Sequence, residues 1–187
     1  AGETILVHAA SGGVGLFITQ WAAHLGVRVI GVVGSEEKAE MAKANGCQHV
    51  LLSSDQDIPN RVRSLTGGQG VPVVFDSVGK DTFDLSLQCL RPRGLMVSYG
   101  SSSGSVPPLD IFALNRLGSL SVTSAAFAWL VPNREELLMR AADVVDVVLR
   151  KTVKIHVCQQ FPLKDAALAH RAIASRKTIG STVLIPE

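Results

Sequence analysis

The stretch Thr4-Ile5-Leu6-Val7-His8-Ala9-Ala10-Ser11-Gly12-Gly13-Val14-Gly15 decides the fold. Its first half is an almost unbroken apolar run, the pattern of a strand covered on both faces of a sheet. Its second half sets Gly12, Gly13 and Gly15 where a strand must turn sharply into a helix. Glycine removes the Cβ atoms that would keep a phosphate away from the backbone. The free N–H groups and the positive dipole end at the start of a helix favour an anion there. A glycine triplet alone is weak evidence, because an ordinary tight turn can carry the same letters. Its context strengthens it. Val14, Phe17, Ile18, Trp21, Ala22 and Leu25 follow at helical spacing, and a second apolar strand is predicted over residues 27–33.

Outward from this unit the rhythm repeats. Ser35 reads as the cap of a helix running to Ala44, with strands over 48–52, 72–76, 94–99 and 120–123 and helices over 58–65 and 81–90. Alternating strands and helices predict an α/β fold: a Rossmann-type, doubly wound, six-stranded parallel sheet over residues 1–123. The rhythm then changes. A long helix over 134–150, capped by Asn133, precedes a strand over 154–157, a helix over 163–175 and a strand over 180–185. A domain boundary is therefore expected near residues 123–132.

Bulk properties exclude several classes. Of the 187 residues, 47% are hydrophobic and 18% charged, which supports a buried core and argues against disorder. A net charge of +2 is too small to point to nucleic acid or an anionic membrane surface. No apolar run reaches the roughly 18 residues of a membrane span, and no charged-then-apolar leader opens the chain. Cys47, Cys89 and Cys158 are scattered, with no Cys-x-x-Cys pair, so neither a zinc ribbon nor a disulfide framework is expected. A reducing, cytoplasmic setting fits. The first strand begins at residue 4, so the chain is expected to be the cofactor-binding part of a longer enzyme, inactive alone, with the first part of the catalytic domain preceding it.

The end of the second strand addresses the cofactor. NAD enzymes usually place Asp or Glu about 20 residues past the glycine turn, to accept from the ribose 2′-hydroxyl. Here the sequence reads Val33-Gly34-Ser35-Glu36-Glu37-Lys38. Gly34 brings no carboxylate to repel a 2′-phosphate, Ser35 can donate to it, and Lys38 lies one helical turn on. NADPH is the expected cofactor. The missing carboxylate also argues against another enzyme on a similar sheet, such as a methyltransferase.

Several motifs together carry a family resemblance. Val7-His8-Ala9-Ala10-Ser11-Gly12-Gly13-Val14-Gly15, Val33-Gly34-Ser35-Glu36-Glu37-Lys38, Phe75-Asp76-Ser77-Val78-Gly79 and Gly94-Leu95-Met96-Val97-Ser98-Tyr99-Gly100 resemble the quinone oxidoreductases. These form the zinc-free, zeta-crystallin-like branch of the medium-chain dehydrogenase/reductase superfamily. Phe161-Pro162-Leu163-Lys164-Asp165-Ala166, Ala169-His170 and Gly180-Ser181-Thr182-Val183-Leu184 are similar to that superfamily's C-terminal signature. The resemblance spans the chain and implies an NADPH-dependent enzyme that passes hydride to a quinone without a metal, with residues 124–187 as the C-terminal segment of a catalytic domain whose first part precedes the cofactor unit. It implies that Gly12, Gly13 and Val14 contact the pyrophosphate, and that Gly34, Ser35, Lys38 and Arg176 surround the 2′-phosphate. Val78 and the turn of Gly100, Ser101 and Ser102 would line the nicotinamide half. Ser53 stands beside the adenosine where close relatives often have Tyr, and Ser124 and Ala125 follow Thr123 where some have Arg. The sixth strand, between Ser119 and Thr123, would pair across a two-fold axis to make a homodimer.

No catalytic side chain is assigned, because no nucleophile stands beside a base. His8, inside the first strand, reads as a hydrogen-bonded structural histidine. His49 invites the same question, His24 and His170 sit on helices without a paired ligand, and His156 with Cys158 on one strand face supplies only two. Asp76, ending a strand, reads as the holder of a loop. Phe127 and Trp129 read equally as cover for an apolar substrate pocket or as core. The chemistry then belongs to the cofactor. The alternative is an NADPH-binding sensor module without turnover.

Overall fold

The structure, a computed structural model, describes residues 1–186. Six strands form one sheet: β1 (Thr4–His8), β2 (Arg28–Val33), β3 (Cys47–Leu52), β4 (Val71–Asp76), β5 (Leu90–Ser98) and β6 (Ser121–Ser124). Their order is β3-β2-β1-β4-β5-β6, and every pairing is parallel. The order reverses between β1 and β4, so the loops leaving those two strands diverge and open a crevice at the C-terminal edge of the sheet.

Helices cover both faces. On one face α1 (Gly13–His24) and α2 (Glu36–Ala44) bring Ile18, Ala22, Ala39 and Ala42 against Ile5, Val7, Val29 and Val33. On the other, α3 (Ile58–Leu65) and α4 (Phe83–Cys89) bring Ile58, Val62, Phe83 and Leu87 against Leu6, Ile30, Val74 and Met96. Burial on both sides explains why β1 and β2 read as continuous apolar runs. Ser35 caps α2 as expected, its Oγ accepting from Lys38 N–H at 3.4 Å.

The short helices α5 (Ile111–Arg116) and α6 (Phe127–Leu130) flank β6, and α7 (Arg134–Leu149) follows, capped by Asn133. Then β7 (Val157–Pro162), a 3-10 turn (Leu163–Asp165), α8 (Ala166–Ala174) and β8 (Ser181–Ile185) form a parallel two-stranded unit.

Three expectations are corrected. First, β7 begins at Val157, not Lys154. The Gln20 side-chain amide takes both backbone groups of Lys154, donating to its carbonyl at 3.1 Å and accepting from its N–H at 2.9 Å, so these residues dock on α1 instead of joining the sheet. Second, β5 begins at Leu90, directly from α4, and its register against β4 shifts where Arg93 adopts φ +61°. Third, of the two readings open for Phe127 and Trp129, core packing falls, since they are 69% and 86% exposed. Helices α5 and α6, of 6 and 4 residues, are too short for periodicity to announce them.

Candidate dinucleotide site

The glycine turn links β1 to α1 at the crevice. A Cβ on Gly15 would lie 2.2 Å from the Ala9 carbonyl oxygen, so only glycine lets α1 begin this close to β1. Gly12 occupies the N-cap without a side-chain acceptor, and the first turn of α1 contains no acidic residue. The helix start thus faces the crevice with nothing to compete for an anion. Val14 stands exposed beside it. The C-terminal unit reaches this turn: Gly180 donates to the Ser11 carbonyl at 2.8 Å, and a Cβ on Gly13 would meet Ser181 Oγ at 2.7 Å. Neither Gly180 nor Ser181 had a local signal that placed it here.

The second cluster gathers at the end of β2. Ser53 Oγ lies 3.9 Å from where a Gly34 Cβ would stand. Ser35 is fixed by its cap bond, and Lys38 Nζ donates to the Arg176 carbonyl at 2.5 Å. Burial lowers the Lys38 pKa below the ordinary lysine value, against an opposing pull from Glu37. Arg176 adopts φ +57°, and its guanidinium donates to the Ser102 carbonyl at 3.4 Å and lies 3.8 Å from Asp81. The structure therefore brings Gly34, Ser35, Lys38, Ser53 and Arg176 together, and Arg176 links them to the loop after β5.

The loops after β4 and β5 form the third part. Asp76 is fully buried, and its carboxylate accepts from Val78 N–H (2.8 Å), Gly79 N–H (3.0 Å), Thr82 Oγ1 (2.8 Å) and Ser86 Oγ (2.7 Å). The Val78 carbonyl in turn accepts from Ser103 N–H and Ser103 Oγ, both at 2.8 Å. Gly100 packs so closely that a Cβ would meet the Ser77 carbonyl oxygen at 2.7 Å. Val78, Gly100, Ser101 and Ser102 thus form one stitched surface beside the crevice. Thr82 and Ser86, one turn apart on the approach to α4 and within it, were missed. A strand-ending Asp followed by two hydroxyls at helical spacing was the available signal.

His8, 1% exposed, completes this buried network through Nε2, 3.0 Å from Ser86 Oγ. Burial lowers its pKa, with Asp76 opposing. Burial also pushes Asp76 up, but His8, Ser86, Gly79 and Thr82 outweigh it and the net shift is downward. Both depressed values make stability fall with acid. His8 loses stability as pH drops from the unfolded histidine value, about 6.5, towards its lower folded value; Asp76 follows as pH drops below about 4 towards its own. His156, lowered by burial and then by Lys154, adds the same sign as His8. The expected result is a melting temperature that falls between pH 7 and pH 5, with a shallower fall in His8→Gln; superimposable profiles would exclude His8.

Burial pushes Cys47 up to about 11, against a hydrogen bond from Thr19, and Cys89 up to about 12, against Arg63, so neither is a nucleophile at neutral pH. His156 Nε2 pairs with Asn45 Oδ1 at 2.6 Å. Among the described residues no group of three His, Cys, Asp or Glu side chains could hold a metal ion. None of their helices is long and apolar enough to cross a membrane.

The family model described as "Zinc-binding dehydrogenase" matches residues 13–143. A quinone oxidoreductase of Pseudomonas aeruginosa is 46% identical over 185 residues, covering 99% of this chain and 57% of the relative. A 2-haloacrylate reductase of a Burkholderia species is 45% identical over 187 residues, covering 100% of this chain and 56% of the relative. The crystal structure of the Escherichia coli quinone oxidoreductase complexed with NADPH superposes with a TM-score of 0.95 at 44% identity, covering 98% of this chain and 57% of that one. The chain thus spans a little over half the length of these relatives. Glycine turn, sheet order and whole-chain identity agree: the chain belongs to the zinc-binding dehydrogenase family of the medium-chain dehydrogenase/reductase superfamily, and its relatives there include quinone oxidoreductases and a 2-haloacrylate reductase.

Proposed function

We propose that this chain binds NADPH and serves as the cofactor-binding part of an NADPH-dependent quinone oxidoreductase. The observation that carries the reading is the cluster at the end of β2: Gly34, Ser35, Lys38, Ser53 and Arg176 meet there without the carboxylate that would repel a 2′-phosphate. The similarity to quinone oxidoreductases supports it, one of them solved with NADPH.

The residues divide the work. Gly12, Gly13 and Val14 offer the α1 N-terminus to the pyrophosphate. Lys38 and Arg176 place two cations at the 2′-phosphate, with Ser35 as a hydroxyl donor, and Ser53 lies beside the adenosine. Val78, Gly100, Ser101 and Ser102 form the wall for the nicotinamide half. The bound cofactor supplies the hydride, and the protein orients it and excludes water. Residues 1–123 form the cofactor unit; residues 124–187 belong to the catalytic domain. β6 is an exposed edge strand of four residues, suited to pairing with a second copy in a homodimer. Three free cysteines suit a reducing cytoplasm.

Two measurements test the reading. Titration of the chain should give NADPH an affinity at least about tenfold above NADH, the worth of one charge-assisted phosphate contact. A polypeptide of the relatives' length carrying this sequence should oxidise NADPH when a quinone is added. Equal affinity for the two cofactors would overturn the NADPH assignment. Tight NADPH binding without turnover would favour a sensor module, and turnover with 2-haloacrylate but not quinone would reassign the acceptor.

A further inference from the structure

Beneath the crevice His8, Ser86 and Asp76 form a chain of hydrogen bonds whose direction is fixed by proton counting. An ionised carboxylate only accepts, and a serine hydroxyl has one proton. Asp76 Oδ2 takes the Ser86 proton at 2.7 Å, so Ser86 Oγ can only accept across its 3.0 Å contact with His8. His8 therefore carries its proton on Nε2. The chain runs from β1, through α4, to the carboxylate ending β4, and its last link is Asp76 Oδ1 accepting from Val78 and Gly79 N–H at 2.8 and 3.0 Å.

We infer that His8, Ser86 and Asp76 are positioning residues for the nicotinamide half of the cofactor, holding the Val78-Gly79 turn in the one shape that presents Val78 to the crevice. The inference rests on the NADPH reading above. The turn has little freedom otherwise. Both backbone groups of Val78 are taken, its N–H by Asp76 and its carbonyl by Ser103. Gly79 has φ +90°, and a Cβ there would meet the Gly104 carbonyl oxygen at 2.8 Å and Ser101 Cα at 3.0 Å. A shift of Asp76 therefore reaches the loop after β5 as well. Gly34, Ser35, Lys38 and Ser53 leave from β2 and β3, on the other side of β1, and are joined to that loop through Arg176, whose guanidinium donates to the Ser102 carbonyl at 3.4 Å, so a shift of Asp76 reaches them more weakly than it reaches Val78.

Asp76→Asn tests this with little change of shape. It puts an NH2 group at the Oδ2 position and leaves at Oδ1 a neutral amide oxygen, a weaker acceptor than the carboxylate for the Val78 and Gly79 N–H groups. Ser86 must then accept from the amide and give its own proton to His8 Nε2, moving the His8 proton to Nδ1. Two readouts separate positioning from mere stability: affinities of the chain for NADPH and for 2′,5′-ADP, which is the adenosine half alone, and the His8 tautomer from long-range proton–nitrogen NMR. The expected result is an NADPH affinity lowered about tenfold with 2′,5′-ADP held within about twofold, and a tautomer switch from Nε2–H to Nδ1–H. Ser86→Ala, which leaves the Asp76 bonds to the turn in place, should change NADPH affinity in the same direction by less and keeps the test open if Asp76→Asn does not fold. Equal loss for both ligands, no loss for either, or an Nδ1–H tautomer in the native chain would overturn the inference. A native chain that binds neither ligand would instead overturn the NADPH reading itself, and the inference with it.

Discussion

Gly15→Ala should destabilise the chain by about 3 kcal/mol or more, although alanine is the best helix former and gains about 1 kcal/mol over glycine inside a helix. Sterics oppose propensity here and are larger. The new Cβ would stand 2.2 Å from the Ala9 carbonyl oxygen, 2.9 Å from Ala9 C and 2.8 Å from Ala10 Cα. All three are backbone atoms of the turn itself, so no rotamer change relieves the overlap. α1 must move away from β1 by roughly 1 Å to regain van der Waals distance. That movement opens the packing of Ile18 and Ala22 on the sheet and swings the helix N-terminus off the crevice. At this size about 3 kcal/mol corresponds to a melting temperature lower by roughly 6–12 °C. NADPH binding should be lost with it. Gly12→Ala is the internal control: its Cβ meets one backbone atom at 3.3 Å, a strain of a few tenths of an ångström. Calorimetric melts of the two variants check the argument, and a Gly15→Ala chain that melts with the native one would refute it.

The parts that were legible share one property: their determinants lie within a turn of one another. The β1 run, the glycine turn and the Ser35 cap are local, and α3 falls on residues 58–65 as periodicity predicts. What escaped was long-range. β7 starts late because Gln20, 134 residues earlier, occupies the backbone of Lys154. His8 meets Ser86 across 78 residues, and no spacing rule joins a strand histidine to a helix serine. Lys38 and Arg176 are 138 residues apart, and only the family resemblance, not the pattern of either segment, set them at one site. The two aromatics follow the same logic. Sequence left core and pocket cover equally open for Phe127 and Trp129, because burial is decided by what packs on them, and within this chain they face outward.

That long-range pair carries the second large effect. Lys38→Ala and Arg176→Ala should each weaken NADPH roughly 10- to 100-fold and leave NADH nearly unchanged, because a charge-assisted bond to phosphate contributes about 1.5–3 kcal/mol and NADH has no phosphate to receive it. The two losses should not multiply. Lys38 Nζ donates to the Arg176 carbonyl at 2.5 Å, at a residue held at φ +57°. Removing Lys38 therefore takes away one cation and also the anchor that fixes the backbone bearing the other. The double variant should fall short of the product of the single effects, a coupling expected of residues that share a partner. Arg176 should matter further because its guanidinium also reaches the Ser102 carbonyl and lies near Asp81. In Arg176→Ala the loop after β5 loses that tether, so the small residual effect on NADH should exceed the one in Lys38→Ala. Titrations of both cofactors at two salt concentrations check this, since the NADPH preference should shrink as salt screens the exposed cations. If both cofactors weaken equally in Lys38→Ala, the residue supports the fold and not the 2′-phosphate. Strict multiplicativity in the double variant would mean that the two cations act independently, and the bond between them is then incidental.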